Sequence, residues 1–300
     1  MEKSDVGENK PLHNKETAIV KQALEIAGML EGAYGIRKID AGMTNHLYFF
    51  MRNEKKYLIR IPGEGTEYLV NRQQEVEVYK MLEGRGITEK ILYINAENGV
   101  KITEFLEDAH VCNIEDWDEV RSCMQHLRQF HEMKLHVGHE FNVYQKIEEY
   151  EKCCGAEIRG LDDYENTRRR IMDLQRITGR KTQEYCLCHI DPITDNFMVE
   201  GNRIYLIDWE YAAMCDPHID IAMFCIYSEL NKEKTDRVIE VYFDNRCTEP
   251  ERKKIYAYMS ASAFLWVLWA EIKNSSGENY QDYQKRQYEI AKEFCGYSEG

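Results

Sequence analysis

Apolar residues recur at helical spacing from Lys15 to about Leu30, where Ile19, Val20, Ala23, Leu24, Ile26, Ala27 and Leu30 share one face of an amphipathic helix. Gly32 and Gly35 end that period. Three short strand-like runs follow, Ile36–Asp40, His46–Arg52 and Lys56–Ile61, separated by Gly42 to Asn45 and by Arg52-Asn-Glu-Lys55. Pro62-Gly-Glu-Gly65 reads as a loop. A second helix is expected from about Glu67 to Glu83, closed by Gly84 and Gly86. Ile91–Ile94 and Val100–Phe105 are two more strand candidates around the turn Asn95-Ala-Glu-Asn-Gly99. Five short strands and one inserted helix predict a small, mainly antiparallel sheet.

After Leu106 the pattern changes. Helical periodicity dominates from Ile114 to Gly179 and again from Ile219 to Phe294, with a compact strand-rich patch, Tyr185–Asp208, between them. The chain thus reads as α+β in two parts. Residues 1–14 form a polar, loose N-terminus, 15–106 a smaller sheet domain, and 107–300 a larger, mostly helical domain. No internal repeat or low-complexity tract appears.

Composition narrows the function classes. Basic minus acidic residues, 39 minus 53, gives −14 in 300 residues. Such a chain repels nucleic acid and anionic membrane, whose binding rests on Lys and Arg neutralising phosphate. The same field welcomes a small cation as substrate. No apolar run approaches the roughly 18 residues of a membrane span, and the longest is Phe264–Ala270. The N-terminus lacks the apolar core of a signal peptide. Ten scattered cysteines are therefore read as reduced thiols in a cytoplasm. Cys186, Cys188, His189 and Asp191 imitate a metal cluster. In an extended segment, however, Cys186 and Cys188 share a face that His189 leaves, and no second Cys/His group completes a tetrahedron.

The most informative stretch is His189-Ile-Asp191-Pro-Ile-Thr-Asp-Asn196, followed by a run to Asp208. Phe197–Glu200 and Arg203–Ile207 are joined by Gly201-Asn202, a hairpin signal. Pairing Glu200 with Arg203 brings Asn196 opposite Ile207, so Asn196 and Asp208 leave one open end on strands about 4.8 Å apart. Strict alternation would turn them to opposite faces, so a loop or bulge is required there. An amide oxygen and a carboxylate suit Mg²⁺, which prefers oxygen ligands and retains substrate phosphates. Asp191, five residues before Asn196, can orient an alcohol toward a γ-phosphorus. Taken singly, these residues could equally cap turns.

Together they resemble the choline/ethanolamine kinase branch of the protein-kinase-like fold, near the aminoglycoside phosphotransferases. The likeness runs from about Lys15 to the end. The family's His-x-Asp-x-x-x-x-Asn is matched by His189, Asp191 and Asn196, and its second metal aspartate by Asp208 in Ile207-Asp-Trp-Glu-Tyr211. Asp216 and Asp220 look like its downstream Asp-x-x-x-Asp, and Leu127-Arg-Gln-Phe-His131 like its Leu-x-x-hydrophobic-His helix. The resemblance implies ATP and Mg²⁺. It places the nucleotide loop at Gly42, Thr44 and Asn45, a phosphate-directed Arg60 paired with Glu75, and an adenine-accepting hinge at Glu104-Phe-Leu106. This loop is poorer in glycine than that of protein kinases.

Trp266 and Trp269 lie three apart, on one helix face, and Tyr280 and Tyr283 repeat the spacing on the next helix. A quaternary ammonium has no N–H donors and is held by ring faces. A core aromatic stripe would show the same spacing. The resemblance favours an acceptor pocket, to which Trp209, Glu210 and Tyr211 would add a carboxylate and more ring surface. Choline is the expected acceptor. Ethanolamine, an aminoglycoside or another amino alcohol stays open, as does a non-catalytic binder of nucleotide or choline. Oligomeric state is not encoded in any pattern found.

Overall fold

The computed structural model describes residues 14–39, 45–63, 70–154, 158, 161–179 and 184–300. Two compact units emerge. The first comprises residues up to His110 together with Met198–Tyr211, and the second Val111–Phe197 together with Ala212–Gly300. The first break falls three residues beyond the Glu107 expected from the pattern. The hairpin that the pattern assigned to the larger domain groups with the smaller unit.

In the first unit, helix α1 (Asn14–Ile26) precedes a five-stranded antiparallel sheet of order β1-β2-β3-β5-β4. Its strands are β1 (Ala33–Ile39), β2 (Asn45–Arg52), β3 (Lys55–Pro62), β4 (Ile91–Ile94) and β5 (Lys101–Glu104). Helix α1 stops four residues before the predicted Leu30. Gly28 takes a left-handed φ of +68° and Met29 N–H turns back to the Leu24 carbonyl. Ala27 and Leu30 still pack on the core of Leu24, Phe50, Ile59 and Ile102. Helix α2 (Arg72–Leu82) starts where the Asn71 side chain accepts the N–H groups of Gln73 and Gln74.

β3 is the central strand. Arg60 in it pairs with Leu47 on one side and Lys101 on the other. Two flanking ladders leave such a residue little freedom. A short strand β6 (His110–Val111) closes this stretch of chain.

The second unit is mainly helical: α3 (Trp117–Glu132), α4 (Val143–Cys153), α5 (Tyr164–Asp173), α6 (Gln175–Thr178), α7 (His218–Tyr227), α8 (Lys232–Phe243), α9 (Glu249–Ser275) and α10 (Gln281–Glu299). β7 (Cys186–Cys188) pairs with β10 (Ala213–Cys215). The hairpin strands are β8 (Phe197–Glu200) and β9 (Arg203–Leu206), and Gly201 supplies the turn with φ +58°.

Helix α9 packs against α10, α7 and α4. Thr248 and Glu251 cap it reciprocally. By length and composition it could cross a membrane, although the sequence showed no unbroken apolar run that long. However, 83% of its most apolar window is buried inside the unit, as befits a core helix.

Candidate active site

Arg60 organises the candidate residues of the first unit. Its guanidinium is only 3% exposed and grips Glu75 of α2 through Nη1–Oε1 at 2.5 Å and Nη2–Oε2 at 2.8 Å. Nη2 also donates to the Gly99 carbonyl at 3.1 Å, and Nη1 reaches Asp208 Oδ1 at 3.4 Å. Burial opposes both charges. The mutual hydrogen bonds outweigh it, holding the Arg60 pKa above and the Glu75 pKa below their ordinary values.

Arg72, one turn before Glu75, donates to Glu75 Oε2 at 3.1 Å and to Glu210 Oε2 at 3.0 Å. Asn45 Nδ2 adds a bond to Glu210 at 3.3 Å. Burial pushes the Glu210 carboxyl up, and the neighbouring Asp208 charge pushes it further. Trp209 is fully buried, its Nε1–H donating to the Leu206 carbonyl at 2.8 Å, so its ring belongs to the core. Tyr211 is half-buried.

Carboxylate oxygens of Glu75, Asp208 and Glu210 lie within 4.8 Å of one another. Glu75 and Glu210 are committed to the arginines. Among the described residues, Asp208 receives one hydrogen bond, the 3.4 Å contact from Arg60, and its side chain is 35% exposed. Asp208 therefore retains the lone pairs that a hard cation needs. Its φ of +65° is the departure from strand geometry that the hairpin spacing required. Arg60 Nε is buried with no partner among the described residues, a donor suited to a phosphate oxygen. These residues fit Mg²⁺ and a nucleotide triphosphate. Gly42 and Thr44 lie outside the described residues.

In the hinge stretch, the N–H groups of Glu104 and Phe105 are already spent on the Lys90 and Lys56 carbonyls, both at 3.1 Å.

The second unit carries the loop after β7. Asn196 ends a 3₁₀ turn, Thr194–Asn196, and its Nδ2 donates to the Asp191 carbonyl at 2.8 Å. That bond commits the amide nitrogen, which also reaches Asp191 Oδ2 at 3.5 Å, and leaves Oδ1 as the accepting end. Asp220, at the start of α7, accepts His189 N–H at 2.7 Å and Ile190 N–H at 2.8 Å. Between them Ile190 holds φ +70°, a conformation costing a β-branched residue about 1–3 kcal/mol unless its surroundings enforce it.

Aromatic rings gather in the same unit. Trp266 and Trp269 have centroids 5.8 Å apart, Trp269 lies 4.9 Å from Tyr280 and 6.3 Å from Tyr283, and Tyr227 lies 5.3 Å from Trp266. Tyr280 stands just before α10 rather than within it. Lys273 Nζ sits 5.7 Å from the Trp269 centroid, so one ring face already attracts a cation. Burial raises the Tyr283 phenol pKa, and the next cause is the negative charge of Asp191. The loop aspartate and the ring cluster are thus electrostatic neighbours.

The choline/ethanolamine kinase family profile matches residues 36–295. The chain belongs to the choline/ethanolamine kinase family. As a member it is a phosphotransferase acting on an alcohol, with the family's protein-kinase-like α+β fold. Protein LicA of Haemophilus influenzae is 25% identical over 264 residues, spanning 83% of this chain and 97% of that protein. The crystal structure of choline kinase LicA from Streptococcus pneumoniae superposes with a TM-score of 0.79 at 26% identity, covering 95% of this chain and all of that one. A LicA in complex with AMP gives 0.76 at 25% identity, covering 94% and 98%, in keeping with nucleotide use by this kinase.

Sequence reasoning missed Arg72, Tyr227 and Tyr79. Only Arg72 left a trace, its three-residue spacing from Glu75. Tyr79 accepts a hydrogen bond from buried Lys101 and a longer one, at 3.4 Å, from the Trp209 N–H, beside Asp208.

Proposed function

We propose that this kinase transfers the γ-phosphoryl group of ATP, as its Mg²⁺ complex, to the hydroxyl of choline, forming phosphocholine. The observation that carries the acceptor assignment is the ring cluster of Tyr227, Trp266, Trp269, Tyr280 and Tyr283. Ring faces stabilise a trimethylammonium group by about 0.5–2 kcal/mol each, and a methylated cation has no N–H to satisfy.

Each residue then has a role. Asp191 accepts the hydrogen bond of the choline hydroxyl and aims its oxygen at phosphorus. Asn196 Oδ1 and Asp208 would hold Mg²⁺, which would supply charge neutralisation at the phosphates. Their support is local: Asn196 directly precedes β8, and Asp208 follows β9 by two residues. Arg60 binds phosphate oxygens, Glu75 holds Arg60, and Asn45, the first residue of β2, serves the phosphates together with Gly42 and Thr44. With the Glu104 and Phe105 N–H groups spent, Leu106 is the hinge donor to adenine. Glu210 holds Arg72 and Asn45, which supports a place on the nucleotide side rather than at the acceptor. The cytoplasm is the proposed location, supported by ten free cysteines.

A coupled ADP-release assay of the purified protein with choline, ethanolamine and an aminoglycoside panel tests this reading. It expects the highest kcat/KM for choline. A higher value for ethanolamine or an aminoglycoside overturns choline as the acceptor.

A further inference from the structure

His131, Cys188 and Asp220 are buried with potential ligand atoms within 4.8 Å of one another, a donor set that a metal could use. Their hydrogen bonds give them a different job. Both Asp220 oxygens are taken by the His189 and Ile190 N–H groups, and Oδ2 also meets His131 Nε2 at 3.0 Å. The other ring nitrogen, Nδ1, lies 2.8 Å from the Tyr242 hydroxyl. Cys188 directs its thiol to the Cys215 carbonyl at 3.4 Å. Every polar atom of the imidazole and of the carboxylate is occupied.

We propose that Tyr242 of α8 and His131 of α3 are positioning residues that set the loop carrying Asp191 by selecting one imidazole tautomer. The proposal rests on the role assigned above to Asp191. Tyr242 donates its single O–H to His131 Nδ1, so the ring proton resides on Nε2. That N–H donates to Asp220 Oδ2. The opposite tautomer would set an Nε2 lone pair against a carboxylate lone pair inside the core, with no water to relieve it. A carboxylate fixed this way presents both oxygens to consecutive loop amides and keeps Ile190 in its left-handed conformation. Asp191, the next residue, takes its direction from that turn. Arg128, one turn earlier on α3, reaches the Tyr242 carbonyl at 3.4 Å and ties α3 to α8 at this point. Burial keeps the Tyr242 phenol protonated and able to donate.

The test combines two substitutions with a direct reading of the tautomer. Tyr242→Phe is expected to lower kcat about 10- to 100-fold with less than about a threefold change in either KM, the size expected of a reacting group misplaced by about 1 Å. His131→Gln retains an N–H donor toward Asp220 and cannot tautomerise. It is expected to keep more activity than His131→Leu, and adding Tyr242→Phe to it should change kcat no further. ¹⁵N-histidine NMR is expected to show the Nε2-protonated form in the wild type and a smaller excess of that form in Tyr242→Phe, where Asp220 alone favours it. An unchanged kcat in Tyr242→Phe, an equal loss in both backgrounds, or an Nδ1-protonated wild type overturns the proposal. Where Asp191→Asn lowers turnover at least about 10²-fold, such results count against the tautomer alone. Wild-type turnover by Asp191→Asn would count against the role assigned to Asp191.

Discussion

Arg60 on the central strand and Glu75 on α2 meet as a fork on a carboxylate, through bonds of 2.5 and 2.8 Å, with both side chains at most 3% exposed. Breaking such a buried pair leaves an uncompensated charge and costs about 3–5 kcal/mol. Glu75→Gln is expected at the low end, because Asp208 and Glu210 also lie within 4.0 Å of Arg60. It should raise the ATP KM at least about tenfold, one pairing of about 1.4 kcal/mol. Urea denaturation and ATP saturation curves measure the two effects, and an unchanged ATP KM would detach the pair from the nucleotide.

Gly99 hands its carbonyl to Arg60 from a backbone with φ +67°. A Cβ there would stand 2.6 Å from Pro62 Cγ and 2.8 Å from Arg72 Nε. Gly99→Ala is therefore expected to cost about 1–3 kcal/mol of stability and to weaken ATP binding by moving Arg60 and Arg72. Calorimetry and nucleotide titration are the measurements; a variant as stable as the parent would contradict the crowding.

Asp191→Asn keeps the side chain's size but replaces the carboxylate proposed to accept the hydrogen bond of the alcohol. Turnover should fall about 10²- to 10⁴-fold, the usual range for a positioned base, with ATP affinity nearly unaltered. Stopped-time product analysis decides it, and wild-type turnover would remove Asp191 from the reaction.

Trp266 stands between Tyr227 and Trp269. Trp266→Ala should raise the choline KM about 5- to 30-fold, the equivalent of about 1–2 kcal/mol from a ring face, without moving the ATP KM. Parallel changes in both constants would take Trp266 out of the acceptor pocket.

The Asp216 pKa is held down to about 2 from an ordinary 3.8. Burial alone would raise it, but hydrogen bonds from His218 and from Lys254, the latter at 2.9 Å, outweigh burial. A lowered folded-state pKa stabilises the fold above the unfolded value and ceases to do so as pH falls from about 4 through 2. The contribution is roughly 2 kcal/mol. Asp216→Asn should be less stable than the parent by about that amount at pH 7, with the gap closing below about pH 2. A gap independent of pH between 6 and 2 would assign the effect to packing.

Strand placement was largely legible. Ile91–Ile94 and Phe197–Glu200 were located to the residue because the turns that bound them, Asn95–Gly99 and Gly201-Asn202, are local signals. Helix ends were less legible: α1 ends at Ile26, two residues before the left-handed Gly28, although apolar residues continue to Leu30. Tyr227 closes on Trp266 from the last turn of α7 and left no pattern of its own.

The amino-acid order by itself determined the element types, the hairpin between Asn196 and Asp208, and the residue types able to hold metal, phosphate and a cationic acceptor. Each of these follows from chemistry within a few neighbouring positions. Only the tertiary structure decided that Arg72 shares Glu210 across 138 residues and that Tyr242 meets His131 across 111. Local periodicity specifies which face of an element is buried. The partner that face meets, and the strained turns at Ile190 and Asp208 that the partners enforce, are properties of packing between distant segments.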